Sequence, residues 1–192
     1  MRLVLVGAAV LLCSRADAAE KQIRPFIAVT FGGGTTFVDL EDAVGSPNLA
    51  IGVGGGMVWE VFGFDVDLAH APGFFQAGDQ ALVLASSVTT LTGSVIVTLP
   101  RRITGYSLRP YFVGGGGLMR VRIDDVFGAL KVRRTLPTMD IGGGATGFVS
   151  NRWGLNWDVR YFRGSHREAQ GLSIGSEQLS FWRASMAVVL RY

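Results

Sequence analysis

Phe181-Trp-Arg-Ala-Ser-Met-Ala-Val-Val-Leu-Arg-Tyr192 closes the chain and decides how the rest of it is read. Alternate residues Trp182, Ala184, Met186, Val188, Leu190 and Tyr192 carry no charge. The intervening set, Phe181, Arg183, Ser185, Ala187, Val189 and Arg191, holds two arginines. A repeat of two is that of a strand with one apolar and one mixed face. A terminal strand needs a partner or leaves an open edge. The stretch therefore poses two questions: what it closes against, and which solvent its apolar face meets.

Working outward, the first nineteen residues set the compartment. Arg2 is followed by an apolar run from Leu3 to Leu12, and Ala16-Asp17-Ala18 fits the small-x-small rule of a cleavage site. Residues 1–19 read as a cleaved secretory signal, too short to span a membrane as a helix, and residues 20–192 as one domain. The single cysteine, Cys13, lies inside the signal, so disulfides play no part in the expected fold. Without residues 1–18, which hold Arg2, Arg15 and Asp17, 16 basic and 14 acidic residues remain, a net charge of +2. So small an excess gives no reason to expect a nucleic-acid partner. Mean hydropathy is positive at +0.34, yet no apolar run after residue 19 reaches the length of a membrane helix. Glycine makes up 27 of 192 residues, about twice its usual share. A secreted, apolar, glycine-rich chain without a spanning helix suggests strands that face lipid.

Alternating segments recur along the whole chain. They are read as strands at 24–37, 48–62, 64–69, 87–99, 109–122, 138–149, 153–162 and 181–192. Phe64, Val66 and Leu68 alternate with Asp65 and Asp67; Trp153, Leu155, Trp157, Val159 and Tyr161 alternate with Asn156, Asp158 and Arg160. No convincing amphipathic helix occurs, and Gln76–Ser86 is the best candidate for a single turn of one. Short connections near Gly63, Pro100–Leu108 and Asn151-Arg152 alternate with longer ones at 38–47, 70–86, 123–137 and 163–179. That asymmetry is expected of an eight-stranded antiparallel up-and-down transmembrane barrel, with short periplasmic turns and long outer loops.

Three stretches carry a family resemblance. Arg109-Pro-Tyr-Phe-Val-Gly-Gly-Gly-Gly-Leu resembles a strand motif of the OmpA/OmpX-type outer-membrane barrels. Gly143-Gly-Ala-Thr-Gly-Phe followed by Arg152-Trp-Gly-Leu-Asn-Trp-Asp-Val-Arg-Tyr161 is similar to their glycine-rich hairpin. The aromatic Tyr192 is similar to the terminal signal read by the barrel-assembly machinery. The resemblance implies an all-β barrel in the outer membrane of a Gram-negative bacterium, in contact with lipid and lipopolysaccharide. Nothing follows Tyr192, so the cell-wall-binding domain carried by some relatives is not expected.

Eight strands enclose an interior filled by side chains. With Trp182 and Tyr192 facing out, parity sends Glu60, Asp65, Asp67, Arg120, Arg122, Asp140, Asp158, Arg160, Arg183 and Arg191 inward. Buried charges need partners, so these are read as a lumen network, with Arg120 expected to pair with Asp140. The narrower alternative is an ion path. Inward glycines from the runs at 32–34, 52–56, 114–117 and 142–144 are expected to make room for long side chains. Phe62, Phe64, Tyr111, Trp153 and Tyr192 are expected at the short-turn interface, and Phe31, Phe37, Tyr161 and Trp182 toward the long loops.

The loops are expected to make whatever contacts the protein has outside, with host, surface proteins or lipopolysaccharide. The first is acidic (Asp39, Glu41, Asp42), the second apolar (Phe74, Phe75, Leu82, Val83, Leu84), and the third basic (Lys131, Arg133, Arg134). A lipid-modifying enzyme is a further alternative, with Ser165, His166 and Glu168, or His70 with Ser86 or Ser87, as its residue types. The first group is crowded into one loop, a poor geometry for a nucleophile and its base, and no catalytic residue is expected. Gly142-x-Gly144-x-x-Gly147 lacks the helix that a dinucleotide fingerprint requires, and two distant histidines make no metal cluster. No cofactor or metal is expected, and the reading is a small surface barrel.

Overall fold

The computed structural model describes residues 19–35, 47–75, 83–100, 108–125, 131–166 and 177–192. The expected signal segment up to residue 18, Phe37, the acidic first loop, Leu82 and Glu168 lie outside them. Eight strands follow in chain order: β1 (Glu20–Thr35), β2 (Asn48–Val58), β3 (Phe62–Pro72), β4 (Val83–Thr98), β5 (Leu108–Asp125), β6 (Lys131–Phe148), β7 (Trp153–His166) and β8 (Glu177–Arg191). Each pairs antiparallel with its neighbours, and the sheet closes on itself. The closing strand meets β1, with Phe26 opposite Ala187 and Phe31 opposite Trp182. Closure gives every strand two partners, so no edge of backbone donors and acceptors is left for lipid to face.

The period of two holds along most of the wall. In β3, Phe64, Val66 and Leu68 are exposed and Asp65, Asp67 and Ala69 buried. In β1, Ile23, Ile27 and Val29 point out while Gln22, Arg24, Phe26 and Ala28 point in. The outward set is apolar nearly throughout: Ile27 is 54% exposed, Leu49 60%, Phe64 60%, Phe112 76% and Ile141 66%. So continuous an apolar exterior is untenable in water and suits the hydrocarbon of a bilayer. Outward charges among the described side chains of the strands sit only toward the ends: Lys21 at one, Arg120, Arg122, Arg133 and Arg163 at the other.

Two connection lengths differ from the sequence reading. The β4–β5 connection spans 99–107, whereas β5–β6 spans only 126–130. Strict alternation of long and short connections therefore fails at this point. The cause is the length of β5 and β6, 18 residues each; their pairing continues to Asp124 opposite Lys131 and absorbs most of the expected loop. Residues 83–86, within the candidate helical turn, belong to β4. Below, the end holding the β2–β3, β4–β5 and β6–β7 connections is the turn end, and the opposite one the loop end.

Candidate functional site

Among the described residues, buried charge is concentrated in the lumen. It buries four arginines (Arg24, Arg109, Arg160, Arg183) and four aspartates (Asp65, Asp67, Asp140, Asp158). Six of these come from alternation alone: Asp65 and Asp67 in β3, Asp140 in β6, Asp158 and Arg160 in β7, Arg183 in β8.

Arg160 is the hub. Its Nε donates to Asp158 Oδ1 at 2.8 Å and its Nη2 to Asp65 Oδ2 at 3.0 Å, while Nη1 lies 3.6 Å from Asp140. Asp65 also accepts from Arg24. Asp140 accepts from Ser94 Oγ at 3.0 Å. A separate pair joins Arg183 Nη1 to Asp67 Oδ1 at 2.8 Å. The Arg183 guanidinium lies between the Phe26 and Phe162 rings, 4.9 and 4.7 Å from their centroids. Each carboxylate thus has at least one charged partner, the condition under which buried charge is tolerated.

Toward the turn end the network continues through neutral groups. Tyr111 donates its hydroxyl proton to Asp158 Oδ2 at 2.7 Å and accepts from Asn156 at 2.9 Å. Arg109 donates to the carbonyls of Trp59 and Glu60 in the β2–β3 turn. Glu20 pairs with Arg109 at 3.6 Å and Arg191 at 3.1 Å, at the mouth.

Toward the loop end the lumen turns apolar. Phe162 and Phe181 stack at 5.3 Å, and Phe74 meets Phe181 edge-on at 5.0 Å. Phe74 and Phe75 follow β3 through Gly73, whose φ of +65° is a left-handed conformation that favours glycine. The Ser86 hydroxyl donates to the Phe75 carbonyl and accepts from its amide. Both rings are 2% exposed, so this segment of the second loop folds in and closes the barrel above the ion pairs.

Several expectations need correction. Arg120 and Arg122 point outward, because Tyr111, Val113, Met119 and Val121 take the inward positions of β5. Arg120 stands opposite Thr135 and Asp140 opposite Gly115, so the expected Arg120–Asp140 pair does not exist. Tyr111 is 5% exposed and belongs to the lumen; Phe112 is the outward aromatic. Four consecutive glycines at 114–117 erase the alternation that would have set the parity of β5. Arg183 lies inward as expected and pairs with Asp67. Glu60 lies in the half-buried β2–β3 turn, where its backbone carbonyl is the group in use. Phe62, Phe64, Trp153 and Trp182 face outward, as does Tyr192 at the mouth; Tyr161 packs against Trp182 at 5.1 Å.

Arg24, Arg109 and Glu20 were missed. For Arg24 the signal was present: Gln22, Arg24, Phe26, Ala28 and Thr30 alternate with Ile23, Pro25, Ile27, Val29 and Phe31. The glycine expectation holds for about half the positions. Gly52, Gly142 and Gly144 sit inward, where an added Cβ would lie 2.3 Å from Phe26, 2.9 Å from Arg160 and 2.8 Å from Tyr111 respectively. Gly114, Gly116 and Gly143 instead face outward. His70 Nδ1 lies 2.9 Å from Thr89 Oγ1 on the outer wall, while Ser86 is buried inside, so those two cannot act together.

Closure of eight antiparallel strands around a packed polar core, with an apolar exterior, matches solved structures. The fold is that of the small outer-membrane β-barrels. Neisserial surface protein A aligns with a TM-score of 0.68 at 13% identity, over 92% of this chain and 100% of that one. OprG of Pseudomonas aeruginosa aligns at 0.58 and 13% identity, over 92% and 97%. Ail of Yersinia pestis aligns at 0.53 and 10% identity, over 90% and 99%. No protein-family model matches the chain, and no curated protein does. Small outer-membrane barrels of one architecture carry different activities, so fold leaves function to the site.

Proposed function

We propose that this chain is a small surface protein of the outer membrane, with the barrel as a rigid anchor and the long connections as its working parts. The supporting observation is the filled lumen: a neutral set of four arginines and four aspartates, closed on the loop side by Phe74, Phe75, Phe162 and Phe181. Among the described residues such an interior is filled by side chains as a core is, which weighs against the alternative of an ion pore. Short turns face the periplasm in barrels of this kind, so the turn end, where β1 begins and β8 ends, is the periplasmic side. Tyr192 on that side suits recognition of the last strand by the barrel-assembly machinery.

Planar-bilayer recording tests the anchor reading. The purified barrel is expected to insert without stepwise channels. Reproducible unitary conductance from the wild-type protein would overturn it in favour of the pore. Fractionation is expected to leave the protein in outer membranes, with protease added to intact cells cutting only in the loop-end connections.

A further inference from the structure

The outward arginines that left the lumen set a problem of their own. Arg122 and Arg133 are directly opposed across β5 and β6, both exposed, and Arg120 follows two residues along the same face. Like charges directly opposite on one face of an antiparallel pair repel. None of the three has an ion-pair partner among the described residues, and no acidic side chain described on the outer wall lies near them. Their neighbours across the strands are Ser87, Thr89 and Thr135, small and uncharged.

Immediately toward the middle of the barrel the wall becomes apolar. Leu118 stands between Leu91 and Pro137 in the next outward row. Beyond it, Gly114 and Gly116 put no side chain on the exterior. A groove of about 780 Å³ runs there, with Pro137, Met139, Ile141 and Tyr161 as its apolar lining and Arg163 and Gln178 among its polar residues. Met139 and Ile141 are 73% and 66% exposed. Three cations without an ion-pair partner among the described residues thus stand at the edge of the apolar belt, above a largely apolar trough.

We propose that the outer wall of β5–β7 binds one bisphosphorylated, acylated glycolipid of the surrounding leaflet. Its phosphates sit on Arg120, Arg122 and Arg133, and an acyl chain lies along the glycine-floored groove. Guanidinium forks match phosphate geometry and suit this recognition better than ammonium groups. Three cations complement a headgroup carrying two phosphates, whereas a zwitterionic phospholipid would leave them largely unneutralised. The proposal places the Arg cluster in the outer leaflet and so rests on the orientation given above.

The test is native mass spectrometry of the full folded barrel released from detergent with bisphosphorylated lipid A. One lipid is expected to remain bound to the wild type. The triple variant Arg120→Gln/Arg122→Gln/Arg133→Gln is expected to retain it at least about tenfold less well, since three charge-assisted contacts are lost. Heat-modifiable migration on gels reports that the variant is folded, and the three side chains lie outside the core. Equal retention by the folded variant overturns the proposal. Independently of any variant, the wild type is expected to prefer bisphosphorylated over dephosphorylated lipid A. No preference, equal retention of phosphatidylglycerol, or displacement by millimolar inorganic phosphate also overturns it. Orientation is read separately by impermeant maleimide on intact cells. Ser165→Cys is expected to label and Ser150→Cys to stay silent. The reverse pattern refutes the orientation and leaves the binding measurement in vitro intact.

Discussion

Arg160 touches three aspartates, more than any other lumen side chain among the described residues. Removing it leaves Asp158 with the Tyr111 hydroxyl and Asp140 with the Ser94 hydroxyl but neither with a cation, and leaves Asp65 with Arg24 alone. Breaking a buried pair from one side costs about 3–5 kcal/mol, so Arg160→Met is expected to lower stability by that order in urea unfolding from lipid vesicles. Arg120→Met, outside the core, is expected to stay within about 0.5 kcal/mol of wild type in the same assay. A second residue-scale prediction concerns Gly52. A methyl there would meet Phe26 Cζ at 2.3 Å and the Leu68 carbonyl at 2.4 Å. Gly52→Ala is expected to destabilise by about 1–3 kcal/mol. Adding Phe26→Leu should recover only part of that, because the carbonyl remains. Single residues were legible where their neighbours alternate. Asp65, Asp67, Asp158, Arg160 and Arg183 were assigned inward correctly from a period of two, since each sits between apolar residues that fix the parity. Arg120, Arg122 and Tyr111 were not. Glycine has no side chain to favour either solvent, so a run of four carries no information about which face is which.

Among the elements, β8 repays closest study. Its register with β1 shifts by one between Phe31 and Gly34, at a point where Gly32 has φ +58°. A bulge at a barrel seam bends the strand and lets the sheet close. Tyr192 itself lies past the strand, 74% exposed, and its backbone amide donates to the Lys21 carbonyl. So slight an attachment contributes little to the finished barrel. Deleting Tyr192 is expected to reduce the yield of folded protein in cells, while barrels that do form unfold at nearly the wild-type urea concentration. Equal yield of the truncated chain would refute a role in assembly. The closing strand's partner was legible because an antiparallel sheet whose strands follow chain order has one remaining seam. The extension of β5 and β6 was not: Lys131, Arg133 and Arg134 read as a basic loop, and only pairing with Asp124, Arg122 and Val121 makes them strand.

For the molecule as a whole, the closed lumen makes a prediction opposite to that for an open channel. Widening the apolar cap with Phe74→Ala and Phe181→Ala removes two of the four rings that close the loop end. The variant is still expected to lack resolvable conductance, because the ion pairs beneath it remain. A channel appearing in this variant alone would mean that the cap seals the barrel and the charges do not. The overall architecture was legible from hydropathy, because lipid and lumen impose opposite demands on alternate residues of every strand. The order of layers inside was not, since it depends on which strands bring Phe74, Phe162 and Phe181 together.

The long hairpin of β5 and β6 also has a mechanical consequence. Eighteen residues at about 3.4 Å each exceed what a tilted strand needs to cross the hydrocarbon. The surplus continues at the loop end as a paired ribbon as far as Asp124 opposite Lys131, where residues 126–130 join the two strands. A foreign peptide spliced there would be carried on a ladder of backbone hydrogen bonds, clear of the Phe74–Phe75 cap. It is expected to be displayed to antibodies on whole cells without loss of barrel yield, whereas the same insertion after Gly73 should unseat the cap.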